Sequence, residues 1–152
     1  MIQTFTIPDR LPGINEYTAS QRSNKYSGAL MKKYAQKQVE VFIRAAKLPR
    51  MRTPIRIVYT FFEPNRRRDK DNISGFAHKV IQDALVGCGI IEDDGWEQIA
   101  GWTDSFALDK DRPRIEVTLI EVKGCETDLY FTDHFMKRFL SWMTLTGSPR
   151  ST

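Results

Sequence analysis

Apolar residues between positions 71 and 86 recur with the spacing of one helix face, and this is the clearest periodicity in the chain. They are Ile73, Phe76, Ala77, Val80, Ile81, Ala84 and Leu85. Steps of three and four residues place such a stripe against a core. The pattern therefore predicts an amphipathic helix over Asp71–Val86. A run of β-branched and aromatic residues, Ile55–Phe62, precedes it and is typical of a central strand.

The N-terminal part of the chain predicts a strand, a loop and a helix. Ile2–Ile7 alternates as a strand, and Pro8–Ser27 is rich in Pro, Gly, Asn and Ser, which favours a long loop. Gly28–Lys47 predicts a helix with a basic exterior. Its predicted apolar stripe consists of Leu30, Tyr34, Val41, Phe42, Ala45 and Ala46.

The C-terminal part predicts two strands and a helix. Ile99–Leu108 and Arg114–Val122 are typical of a hairpin that turns through Asp109–Pro113. Phe131–Leu145 predicts an amphipathic helix, followed by a tail at Gly147–Thr152. Its aromatic side is Phe131, Phe135, Phe139, Trp142 and Met143. This side packs on its own domain or forms an interface with another chain.

The length of 152 residues, with 41% hydrophobic residues, suits one core. These elements predict an α+β fold: a small mixed sheet of about four strands in the order β-α-β-α-β-β, with helices packed on one face, and an extra C-terminal helix. The predicted domain covers residues 1–122, and the helical extension with its tail covers residues 123–152.

Several functional classes are excluded by composition. No apolar run approaches the roughly 20 residues that span a bilayer, and the N-terminus does not resemble a signal peptide. We therefore expect a cytoplasmic protein that does not enter membranes. Cys88 and Cys125 lack the spacing of a disulfide framework or a zinc site. His78 and His134 stand alone, and structural or surface roles are expected for both.

Acidic residues interrupt a basic segment in the middle of the chain. Lys and Arg concentrate between Arg22 and Lys70, which predicts a polyanionic partner. Within this segment the sequence from residue 66 to residue 72 is Arg66-Arg67-Arg68-Asp69-Lys70-Asp71-Asn72, and Asp93-Asp94 follows later. Aspartates repel phosphate unless a cation intervenes. Asp69, Asp71 and Asp94 would offer the hard oxygen ligands that Mg²⁺ prefers.

A simpler interpretation of the aspartates is a turn with solvated salt bridges, in which Asp71 caps the following helix. The chain contains a comparison, because Asp109-Lys110-Asp111 has the same spacing. That second copy is predicted to be only a hairpin loop, since it opens no helix. Lys79 lies on the polar side of the predicted helix. It either reaches toward a scissile phosphate or pairs with Asp83.

At these residues the chain resembles the RusA family of Holliday junction resolvases. The family carries an Arg-rich lead, an Asp-x-Asp-Asn motif, a Lys followed by Asp-Ala-Leu, and then Asp-Asp. The matching pieces here are Arg66–Asn72, Lys79 with Asp83-Ala84-Leu85, and Asp93-Asp94, and Leu11–Tyr17 is similar to the family's N-terminal segment. The resemblance covers roughly Ile2 to Val122. Lys79 follows Asp71 by eight residues, where the family's motif has four, which indicates an insertion of about one helical turn.

The resemblance implies a homodimer that resolves four-way DNA junctions by paired, symmetric nicks with Mg²⁺, in recombination and repair. It implies Asp69, Asp71 and Asp94 as metal ligands and catalytic residues, with Lys79 assisting. It also implies DNA contacts, which would come from Arg66, Arg67, Arg68, Lys70 and Asn15. Such resolvases are commonly encoded by prophages.

Two other classes of function compete with this interpretation. The same carboxylates would serve a Mg²⁺-dependent nuclease acting on flaps, single strands or other branched nucleic acid. Alternatively the chain is a DNA-binding module without catalysis, whose aspartates are caps and salt bridges. A protein interaction domain that uses the aromatic C-terminal helix is a third possibility.

Overall fold

The computed structural model describes residues 1–24 and 26–123. The elements in chain order are β1 (Ile2–Pro8), α1 (Ile14–Ser23), α2 (Ser27–Ala45), β2 (Ile55–Glu63), α3 (Lys70–Gly87), β3 (Ile99–Leu108) and β4 (Arg114–Glu121). The α+β prediction is confirmed. So are the strand before the Arg-Asp run and the long helix after it. The predicted helix Phe131–Leu145, the tail and almost all of the extension over residues 123–152 lie outside the described residues.

The sheet has four strands in the order β1-β4-β2-β3. Strand β4 lies antiparallel to both of its neighbours, with Tyr59 opposite Val117 and Phe5 opposite Val117 on the other side. Strand β3 runs parallel to β2, and Tyr59 is aligned with Asp104. The sheet is therefore mixed, and β3 forms one of its edges.

The predicted hairpin between β3 and β4 is wrong. The two strands lie on opposite sides of β2, because α3 returns the chain to make β3 parallel to β2. The connection after β3 crosses the end of β2, where the Asp109 N–H donates to the Glu63 carbonyl over 2.8 Å. Local alternation and β-branched composition predicted the strands correctly, but they do not say which strands are paired.

Helix α1 occupies part of the predicted loop Pro8–Ser27. None of its residues is fully buried, so it lacks the apolar stripe that sequence periodicity detects. Tertiary contacts hold it instead. The Tyr17 ring lies 4.7 Å from the ring of Phe76 on α3, measured between centroids.

The stripe predicted for α2 is also wrong in its orientation. Leu30, Tyr34 and Val41 are exposed by 49%, 72% and 59%. The face that packs inward carries Gly28, Ala35, Val39, Glu40 and Ile43. A buried glutamate concealed this face in the sequence. Glu40 is only 2% exposed, but Lys37 and Arg44 pair with its carboxylate at 2.8 and 3.1 Å, and the Lys37 hydrogen bond is the main cause of its lowered pKa.

The core lies between the helices and one face of the sheet. Alternate residues of β2 and β4 point into it, and α3 contributes the stripe that its periodicity predicted. The central residues are Ile57, Tyr59, Phe61, Val117, Leu119, Ala77, Val80, Ile81 and Leu85. Among the described helices, none combines the length and apolar character needed to cross a bilayer.

Candidate functional site

Two of the three predicted carboxylates lie at the N-terminus of α3. Asp69 occupies the N-cap position with extended backbone, but its side chain makes no capping hydrogen bond. Asp71 lies in the first turn, and both residues are exposed. Within the part of the chain that the structure describes, neither carboxylate forms an ion pair. A capping hydrogen bond and salt bridges therefore do not account for these residues, and the structural role that remains for Asp71 is its favourable position at the positive end of the α3 dipole.

The second Asp-x-Asp sequence behaves differently. Asp109 pairs with Arg114 at 2.7 Å, and it accepts a hydrogen bond from the backbone N–H of Arg112 over 3.0 Å. These contacts lower the pKa of Asp109, with the Arg112 backbone as the largest cause. It is a structural acid of a loop. The same spacing thus gives a paired carboxylate there and two unpaired carboxylates at the start of α3.

Asp94 belongs to a chain of ion pairs on the polar side of α3. The ammonium of Lys79 lies 2.8 Å from Asp83 and 2.9 Å from Asp94, and Asp83 also pairs with Lys32 on α2 at 2.7 Å. The hydrogen bonds to Asp83 and then Asp94 hold the pKa of Lys79 well above its ordinary value. Burial raises the pKa of Asp83, but the hydrogen bonds from Lys32 and Lys79 outweigh it and lower that pKa.

The structure does not gather the three aspartates into one cluster. Among the described residues, no three acidic, histidine or cysteine side chains are arranged to hold a metal ion. Lys79, which pairs with Asp94, is eight residues from Asp71 on α3, about 12 Å along the axis. Asp94 is therefore paired with Lys79 and does not join Asp69 and Asp71 in a cluster.

Arg68 is placed by the structure in a buried ion pair. Its guanidinium donates to both carboxylate oxygens of Glu63, over 2.6 and 3.2 Å, and to the carbonyl of Leu11 over 2.9 Å. The side chains of Arg68 and Glu63 are only 14% and 7% exposed. Arg68 thus fastens the N-terminal loop to the end of β2, and it does not present a free cation.

Asn72, the last residue of the Asp-x-Asp-Asn motif, links α3 to α1. Its Oδ1 accepts a hydrogen bond from the backbone N–H of Asn15 over 3.0 Å, in the first turn of α1. Gly13 is the N-cap of α1 and offers no side chain. A Cβ at Gly13 would lie 2.5 Å from Asn72 Oδ1, so the glycine makes room for this contact. Asn15 itself is exposed and lies beside the motif.

The remaining predicted DNA contacts form an exposed basic edge next to the unpaired aspartates. Arg66, Arg67 and Lys70 are all exposed. Neither Arg66 nor Arg67 pairs with a carboxylate of any described residue. Lys70 extends over the ring of Phe106 on β3, 5.5 Å from its centroid. A groove of about 710 Å³ lies here, and its lining includes Arg66, Asp69, Lys70 and Phe106.

Sequence reasoning missed one pair near this edge. His78 Nε2 lies 2.8 Å from Asp104 Oδ1, and the His78 ring packs against Tyr59 and Trp102 at 4.7 and 5.3 Å between centroids. His78 shares a helix side with Asp71, seven residues earlier. The parallel pairing of β2 and β3 places Asp104 beside Tyr59, whose ring contacts His78. The hairpin prediction excluded that pairing, so the contact between His78 and Asp104 was missed.

Comparison of the sequence with protein-family models and with curated proteins gives no match to either.

Proposed function

We propose that this protein is a Mg²⁺-dependent endodeoxyribonuclease that cleaves branched DNA, with the four-way junction as its substrate. The proposal rests on one observation, the absence of ion-pair partners for the carboxylates of Asp69 and Asp71 among the described residues. Two exposed carboxylates remain unpaired although Arg66, Arg67 and Lys70 adjoin them in sequence. Exposed aspartate oxygens suit a hard cation, and unpaired arginines suit phosphate.

The proposed site assigns metal binding, phosphate binding and a fixed positive charge to different residues. Asp69 and Asp71 would hold Mg²⁺, which when bound supplies charge neutralisation at the phosphate and a more acidic water. Arg66 and Arg67 bind the flanking phosphates. Lys79 is protonated at neutral pH even at the ordinary lysine pKa, and the hydrogen bonds to Asp83 and Asp94 raise its pKa further. It is therefore a fixed positive charge rather than a base.

Asp94 is the third proposed ligand, and its pairing with Lys79 bears on a competing function. A DNA-binding module without catalysis would keep that ion pair permanently, so the pair at 2.9 Å favours this second candidate. The two candidates differ in one respect. A nuclease requires the carboxylate of Asp94 for cleavage, whereas a binding module does not cleave at all.

Resolution by paired nicks needs two active sites facing one junction, so we propose a homodimer acting on cytoplasmic DNA. The test is incubation of the full chain with labelled four-way junction, flap, duplex and single-stranded DNA, with Mg²⁺ or with EDTA. Cleavage confined to the junction is the expected result. Cutting of flaps or single strands instead would indicate a more general nuclease.

The exposed arginines make a separate prediction about affinity. Replacing Arg66 and Arg67 together by Ala removes two phosphate contacts, so the slope of log affinity against log salt concentration should fall by about 2 in magnitude. Fluorescence anisotropy in EDTA measures this slope. Replacing Arg112 by Ala is the matched change in the loop of the other Asp-x-Asp sequence. Equal slopes for all three proteins would contradict the proposed DNA contacts.

A further inference from the structure

Edge strand β3 carries two aromatic rings on the side that faces the helices. Trp102 is aligned with Ile57 and Phe106 with Phe61, both of which point into the core. Alternate strand residues share a face and lie about 6.6 Å apart, so Trp102, Asp104 and Phe106 form one row. Trp102 is nevertheless 51% exposed, and Phe106 is partly exposed, because β3 lies at the edge of the sheet.

Each of the two rings packs against another ring of the domain. Trp102 packs against His78, which is anchored by Asp104 at 2.8 Å. Phe106 stacks on Phe61 with 5.2 Å between centroids and 17° between planes. Rings that are already ordered lose little conformational entropy when a ligand stacks on them. Trp102 is therefore held by His78 while about half of it stays exposed.

Positive charge borders the same row. Lys70 lies over Phe106 at 5.5 Å, and the groove beside Phe106 also includes Arg66 in its lining. Flat aromatic surfaces next to a basic groove are the combination that binds single-stranded nucleic acid, because bases stack on the rings while cations follow the backbone. Paired bases in a duplex present their edges and not their faces.

We infer that the row from Trp102 to Phe106 is a stacking platform for unpaired nucleobases beside the groove that Asp69 and Lys70 line. The inference rests on the proposed function, since it takes nucleic acid as the substrate. It adds that the protein recognises nucleotides that are open or frayed near the cleaved phosphate. Trp102 is the principal stacking residue and His78 positions it.

The test is binding of labelled oligothymidylate to the full chain in EDTA, which prevents cleavage. Replacing Trp102 by Ala should weaken this binding roughly 5- to 150-fold, the range for loss of one stacked base. The salt slope should stay unchanged, because no phosphate contact is lost. Replacing Trp102 by Phe should largely restore affinity. Trp96, 88% exposed, is the matched control, and replacing it by Ala should change neither quantity.

A second readout does not depend on whether the alanine variant folds. Oligothymidylate should quench tryptophan fluorescence in the unaltered protein and in the Trp96→Phe variant, but much less in Trp102→Phe. The inference is overturned if Trp96 and Trp102 variants behave alike, if blunt duplex binding falls as much as single-strand binding, or if the unaltered protein does not bind oligothymidylate. Junction cleavage that survives any of these results leaves the proposed function standing. Conversely, Trp102-dependent binding without cleavage supports the platform on a non-catalytic module.

Discussion

Replacement of Asp71 by Asn is expected to lower the rate of junction cleavage about a thousandfold or more, while junction affinity stays equal or becomes tighter. The amide keeps the size of the side chain but removes the negative charge that would hold Mg²⁺ in the proposed site. Loss of several kcal/mol of stabilisation at the phosphate corresponds to this factor. Affinity does not fall, because one fewer negative charge faces the DNA backbone.

The experiment compares single-turnover cleavage and EDTA binding for Asp71→Asn, Asp94→Asn and Asp111→Asn. Asp111 is an exposed aspartate in the other Asp-x-Asp sequence, so its change controls for charge alone and should leave the rate intact. Asp71→Asn tests the unpaired carboxylates, and Asp94→Asn tests whether Asp94 leaves Lys79 to join them. Normal cleavage by Asp71→Asn would show that the proposed site is wrong.

Replacement of Arg68 by Ala is expected to lower the free energy of unfolding by about 3–5 kcal/mol, the usual cost of leaving a buried charge without its partner. The Glu63 side chain is only 7% exposed. Its other cationic neighbour, Arg10, pairs with it at the longer distance of 3.8 Å and is itself 41% exposed, so Arg10 replaces Arg68 only in part. We therefore expect the substitution to act mainly on the stability of the folded protein. Urea unfolding followed by circular dichroism measures it.

Arg67→Ala is the matched control, because Arg67 is the exposed neighbour of Arg68. It should weaken DNA binding with little change in stability. The double change of Glu63 and Arg68 to Gln and Met should recover part of the lost stability, since no charge is then left buried alone. If Arg68→Ala unfolds at the same urea concentration as Arg67→Ala, the buried ion pair between Arg68 and Glu63 does not stabilise the fold.

Local patterns predicted the elements whose burial follows one simple period. Helix α3 presents an uninterrupted apolar stripe, and β2 alternates between a buried and a half-buried side, so both were predicted nearly to the residue. Helix α2 failed because its inward face includes Glu40, which ion pairs make compatible with burial. Helix α1 failed because it depends on contacts with α3, which no local pattern contains.

Pairing between distant segments was the main limit for the site. The sequence located Asp69 and Asp71 beside basic residues, and their positions followed from the start of α3. It could not show that Arg68 forms an ion pair with Glu63, or that Lys79 forms one with Asp94. It also could not show His78 facing Asp104, because that contact requires the parallel register of β2 and β3.

Lys79 lies eight residues after Asp71 on α3, about 12 Å along the helix axis. Its ammonium is turned toward Asp83 and Asp94. Among the described residues, Lys79 forms no ion pair with Asp69 or Asp71. Under the proposed function, Asp94 must therefore leave Lys79 to act together with those two carboxylates.

Mapping of the nicks on a synthetic four-way junction, labelled on each strand in turn, is the decisive test of junction resolution. With Mg²⁺ we expect nicks at symmetric positions in two opposing strands, none in EDTA, and none with Asp94→Asn. Binding of the junction without any cleavage at any Mg²⁺ concentration would exclude the proposed nuclease, and would identify the chain as a DNA-binding module whose aspartates have no catalytic role.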